Sequence, residues 1–161
     1  MDTISFTRSP LELPRTDGIA VHPRLASPAA GLYRVRVEVD DVPLVELIRT
    51  IELPLATAEG HPQIAGDYVE PVFGWPDDQP PGAHYLGVPG SDWACWPAGK
   101  TVLLGDADEF GAWPLMARID VGPRVVTWSA FEQPYRPHWD YGLRLVFDRD
   151  AYEDALDALR R

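Results

Sequence analysis

At residue 41 the spacing of apolar side chains changes. In GLYRVRVEVDD (31–41), Leu32, Val35, Val37 and Val39 are interleaved with Arg34, Arg36, Glu38 and Asp40, a period near two that predicts a half-buried strand. In VPLVELIRTIELPLA, directly after it, Leu44, Leu47, Ile48 and Ile51 fall at i, i+3, i+4 and i+7 and so share one face of a helix. A chain that buries alternate strand positions and then a helical stripe belongs to a mixed class. Asp41 offers a cap and Pro43 suits a first helical turn, while Pro54 predicts an end or kink near Glu52 or Leu53.

The last third repeats the order. KTVLLGD, PLMARIDV, RVVTWSAF and GLRLVFD are four apolar runs, with turn signals at Asp108–Gly111 and Gly122–Pro123. RDAYEDALDALRR follows, where Asp150 and Glu153 have capping-box spacing, Tyr152, Leu156 and Leu159 line one side, and Arg160 and Arg161 stand at the negative end of the dipole. The expected fold is α+β, one domain over residues 1–161. It would have a mainly antiparallel sheet and two principal helices, about 43–53 and 150–160, on one face. Seventeen prolines and thirteen glycines predict short elements joined by many turns. The first thirty residues read as extended segments and loops with one edge strand, and EGHPQIAGDY as a loop or short helix. Residues 70–100 keep neither period. Trp75, Trp93 and Trp96 cannot all stand in water, so that stretch reads as a packed surface loop.

The formal charge of −11 argues against DNA, RNA or an anionic membrane as partner, since phosphate binding needs a basic patch. It suits a basic protein partner, and it also serves solubility alone. The single cysteine, Cys95, excludes an internal disulfide and any multi-cysteine zinc site. No stretch resembles a leader or approaches the roughly 20 apolar residues of a membrane span. The expectation is a soluble cytoplasmic protein, monomeric or a small homo-oligomer.

Reactive constellations are missing from the sequence. His22, His61, His84 and His138 form no H-x-x-x-H or H-E-x-x-H motif, and no phosphate-binding glycine motif occurs. Asp106, Asp108 and Glu109 lack the further ligands of a calcium loop and read as a solvated acidic turn. Ser129 in WSAF is not in a nucleophile elbow, and Cys95 has no base nearby in sequence. His138 and Asp140 could form an oriented base, but the pair stands alone. No catalytic residue, metal or cofactor is expected.

FEQPYRPHWDYG (131–142) is the densest stretch of functional side chains. Tyr135, Arg136, Trp139 and Tyr141 are interface types, and Glu132 and Asp140 would suit a basic partner. Two readings stay open: Phe131 and Trp139 pack on the sheet while Arg136 pairs with a carboxylate, or the stretch contacts a partner. The expected partner-binding set is Asp106, Asp108, Glu109, Glu132, Tyr135, Arg136, Trp139 and Asp140. The alternative is a small-molecule binder or hydrolase with a pocket lined by Trp113, Trp128, Trp139 and His138. A structural role as an oligomer subunit is a third option.

G-x-W-P-L (Gly111–Leu115), W-x-x-F-x-Q-P-x-R (Trp128–Arg136), W-D-Y (Trp139–Tyr141) and F-D-R-x-x-Y (Phe147–Tyr152) together resemble a group of small bacterial proteins. The resemblance runs from about residue 42 to the end, and no established reaction comes with it. It implies cysteines in the stretch matching Gly105–Ala112, where this chain has Asp106, Asp108 and Ala112, so a metal site built on them would be absent or altered here. In kind, a small acidic chain without a catalytic set is similar to the immunity proteins of bacterial toxin systems, which bind a basic toxin domain through acidic and aromatic surface.

Overall fold

The computed structural model describes residues 1–11, 31–76, 78–90, 95–96 (backbone only) and 99–160. Expectations for residues 12–30, for Trp93 and for the side chains of Cys95 and Trp96 lie outside the described residues. Strand β1 (Ile4–Pro10) pairs antiparallel with β2 (Tyr33–Val39), from Ile4 opposite Val39 to Pro10 opposite Tyr33. The alternation in β2 holds, with Val35, Val37 and Val39 buried. Asp40 and Asp41 both have positive φ, 50° and 66°, and form the two-residue turn into β3 (Val42–Pro43). Such turns match the twist of the flanking strands, and aspartate tolerates the conformation. The Asp40 carboxylate also accepts the Thr3 N–H at 2.7 Å. Asp41 therefore belongs to a hairpin and does not cap the helix, whose N-cap is Pro43 without a side-chain bond.

Helix α1 (Leu44–Ala58) runs past Pro54 to Ala58, beyond the end expected at 52 or 53. A proline inside a helix removes a backbone hydrogen bond and costs about 3 kcal/mol. The last turn is secured in other ways. Ala56 is fully buried, and Gly60 (φ 81°) closes the helix as the Gly60 and His61 N–H groups reach the Thr57 and Ala56 carbonyls, the pattern of a Schellman motif. Its buried line is Leu44, Ile48, Glu52 and Ala56, so a glutamate occupies the expected apolar face.

Strand β4 (Val72–Phe73) joins β2 to complete a four-stranded sheet. The second sheet is an antiparallel meander of five: β5 (Cys95–Trp96), β6 (Lys100–Leu104), β7 (Leu115–Val121), β8 (Val125–Glu132) and β9 (Leu145–Asp148). Isolated bridges at Asp2–Phe147 and Val69–Gly105 tie the two sheets together. The α+β class with antiparallel pairing is as expected, but the strands divide into two sheets. Helix α1 packs on β2 and β3, whereas α3 (Arg149–Asp157) packs on β1, β8 and β9. Residues 70–100 are more than a loop: they supply β4, helix α2 (Pro81–His84) and the buried Phe73, His84 and Tyr85.

One apolar core joins both sheets. Its centre is Trp128, whose ring meets Phe147 and Tyr152 edge-on and stacks near Tyr85. Trp128 Nε1 donates to Tyr152 Oη at 3.1 Å, and Tyr152 in turn donates to the Tyr85 carbonyl, so the buried polar atoms of the first two rings are satisfied. His84 Nε2 donates to the Val102 carbonyl at 2.9 Å, and burial pushes this imidazole down to about 4, keeping it neutral. No helix among the described residues is long and apolar enough to cross a membrane.

The cap of α3 differs from the expected one. Asp148, not Asp150, accepts the Ala151 N–H, at 2.9 Å. Asp148→Ala should lower the unfolding free energy by about 1 kcal/mol and Asp150→Ala by clearly less, as read from urea midpoints.

Candidate functional site

The connection between β8 and β9 contains most of the 131–142 stretch, and it closes over the C-terminal half of α1. Two glutamates seven residues apart on or beside that helix receive it. Glu52, fully buried, accepts the Gly66 N–H at 2.8 Å, the Tyr68 hydroxyl at 2.7 Å and the Tyr141 hydroxyl. Gln133, also fully buried, donates to Tyr68 Oη at 3.2 Å and accepts the Tyr135 N–H at 3.2 Å. Glu59, the C-cap residue of α1, accepts Arg136 Nε at 2.9 Å, His138 Nε2 at 2.6 Å and Trp139 Nε1 at 3.0 Å.

The two carboxyls are shifted in opposite directions. Burial holds Glu52 above the ordinary glutamate value, against the pull of its hydrogen bonds from Gly66, Tyr141 and Tyr68. Desolvation also acts upward on Glu59, but the bonds from His138, Arg136 and Trp139 and the guanidinium charge outweigh it and bring it below that value. Tyr68 and Tyr141 are pushed up by burial and by the neighbouring Glu52 charge, so both remain phenols that donate.

The stretch thus has an inner and an outer side. Phe131, Gln133, Trp139 and Tyr141 are buried; Tyr135, His138 and Asp140 are exposed. Trp139 points inward, with only 5% of its surface accessible. The Tyr135 ring is 51% exposed and stacks on Trp113 with centroids 5.7 Å apart and planes 6° from parallel. Arg136 places its guanidinium carbon 5.4 Å from the Trp113 ring centre and donates from Nη1 to the Tyr135 carbonyl at 2.9 Å.

Of the expected partner-binding residues, Arg136 and Trp139 bind Glu59, and Glu132 pairs with the chain's single lysine, Lys100, at 2.6 Å. Asp140 is exposed and turns the chain by accepting the Gly142 N–H at 3.0 Å. Asp106 accepts the Asp108 and Glu109 N–H groups at 3.0 and 3.1 Å, a local turn with exposed carboxylates at Asp108 and Glu109. Among the described residues no group of histidine, cysteine, aspartate and glutamate is placed to hold a metal. His138 faces Glu59 and not Asp140. Trp113, Trp139 and His138 surround the Glu59–Arg136 pair, but Trp128 lies in the core beneath α3, so the four do not line one pocket.

Where β8 and β9 diverge, a cleft of about 340 Å³ opens between Ser129–Phe131 and Asp140–Arg144. Ala130 stands there with φ 52°, in a bulge of β8 against β7. A left-handed alanine is strained by roughly 1 kcal/mol.

The sequence reading missed Glu52, Glu59 and Tyr68. A signal for Glu52 was present: it falls four residues after Ile48 and eight after Leu44, on the line expected to be buried. Comparison of the chain with protein-family models, with curated proteins and with solved structures finds no match.

Trp139→Ala should cost about 3–5 kcal/mol in urea unfolding, because it removes a buried indole together with a bond to Glu59. The two glutamates give stability opposite slopes with pH. The folded value of Glu59 lies below its unfolded one, so its contribution is complete above about 4.5 and fades as pH falls through the folded value. Glu52 is raised, so stability declines as pH climbs from about 4.5 through its folded value. Glu52→Gln should abolish that decline and Glu59→Gln the acid-side loss, both followed as unfolding midpoints against pH.

Proposed function

We propose that this chain is a non-enzymatic binding protein of the bacterial cytoplasm that captures a basic protein partner, in the manner of an immunity protein that neutralises a toxin or effector domain. The observation that carries this reading is Tyr135. It is a large aromatic side chain left half in water, yet its backbone N–H is bound by the buried Gln133 and its carbonyl by Arg136, and its ring lies flat on Trp113. An exposed aromatic that is already fixed loses little entropy when a partner covers it, which is the property of an interface anchor. The charge of −11 favours a basic partner and speeds its approach. Glu59, Arg136 and Trp139 serve this contact as its support. Asp108, Glu109 and Asp140 supply exposed negative charge on the chain. The group resemblance is compatible with this reading and adds no chemistry to it.

The cleft beside Ala130 favours a second reading, a small-molecule site, which would require a ligand whose thermal stabilisation disappears on Leu143→Trp.

Co-expression with the products of adjacent genes, followed by size-exclusion chromatography, should yield a stable complex with one of them. Tyr135→Ala should weaken that complex by tenfold or more, while changing the unfolding free energy by less than about 1 kcal/mol. Absence of a complex with every neighbour, or a Tyr135→Ala variant that binds unchanged, would count against the proposal.

A further inference from the structure

Resting on the binding reading above, we infer that the side chain received by Tyr135 is an arginine of the partner, stacked flat on the open face of the phenol. The site already contains half of such an arrangement. Trp113 and Tyr135 are parallel within 6°, and the chain's own Arg136 guanidinium sits 5.4 Å from the Trp113 ring centre. Arg136 cannot turn away to serve the outer surface, because Glu59 holds its Nε and the Tyr135 carbonyl its Nη1. The Tyr135 ring is therefore supported from below and half open to solvent.

The chemistry of an occupant follows from shape and charge. A flat ring face attracts a cation through its quadrupole, and a guanidinium, being planar and weakly hydrated, stacks on it where an ammonium remains a hydrated point charge. An apolar side chain would gain the same face but nothing from the charge of −11. The acidic turn of Asp106, Asp108 and Glu109 runs directly into the short helical turn Phe110–Ala112 that precedes Trp113, and the Ala112 N–H is bound to the Glu109 carbonyl at 2.9 Å. Carboxylates thus stand close in sequence to the base of the ledge, and exposed Asp140 lies five residues beyond Tyr135. Arginine can stack on the ring and still extend its N–H groups toward carboxylates.

The test uses two ten-residue peptides of equal charge, deca-arginine and deca-lysine, titrated into the full chain by calorimetry at about 50 and 200 mM salt. Deca-arginine should bind roughly three- to fivefold tighter, the size of one exposed cation–π contact. That preference should survive in Tyr135→Phe and vanish in Tyr135→Ala, with thermal midpoints within a few degrees of the parent. Equal binding of both peptides, or a preference untouched by Tyr135→Ala, overturns the arginine assignment while leaving the acidic binding surface standing. If neither peptide binds even at low salt, the acidic-surface reading itself falls along with it.

Discussion

The carboxylate of Glu52 is the interaction on which the arrangement of this chain turns. Bringing a glutamate into the interior costs several kcal/mol unless its oxygens find donors. Here three donors come from three places: the Gly66 backbone after α1, the Tyr68 phenol beyond it, and the Tyr141 phenol far along the sequence. None of these partners can be shifted by a residue without leaving a buried charge exposed to apolar surroundings. An apolar side chain at position 52 could cover the same surfaces but would make no directional bond to Gly66, Tyr68 or Tyr141. Directional bonds from three separate segments converge on this one carboxylate, and for that reason we attribute positional specificity to the set before net stability.

Glu59 extends the same logic to the end of the helix. With Arg136, His138 and Trp139 on its two oxygens, it fixes the second half of the connection seven residues from Glu52. This explains how α1 continues beyond Pro54. The proline removes a bond inside the helix, but the turn after it carries Ala56 in the core, the closing Gly60, and a carboxylate bound three times from outside. Local propensity pointed to a stop near residue 53, and tertiary contacts overrode it.

Legibility in the sequence follows the range of the interaction responsible. The alternation of Val35, Val37 and Val39, the apolar runs that form β6 to β9 and the buried line Tyr152–Leu156–Leu159 are local patterns and legible as such, whereas the division of the strands into two sheets rests on distant pairings. The cap of α3 was misplaced by two residues because Asp148 and Asp150 are both acceptable caps and only the backbone decides between them. Asp41 suits a helix cap as well as the hairpin turn it occupies, because aspartate serves both roles. The candidate site was legible as a stretch but not as a mechanism, since its partners Glu52, Glu59 and Tyr68 lie 65 to 89 residues away from the side chains that bind them. Nothing in a period of two or 3.6 reports such a pairing.

Those partners also give a physical role to the polar side chains of the connection. Gln133, Arg136, Trp139 and Tyr141 each commit a polar group to Tyr68, Glu59 or Glu52, and these bonds fasten the connection to α1 and the segment after it. Tyr135, between Pro134 and Arg136, is held through its backbone N–H and carbonyl and leaves its ring half exposed. Position 135 can therefore change its side chain without removing any of the fastening bonds. The geometry of this connection and the side chain it shows to solvent at position 135 are thus set by different residues.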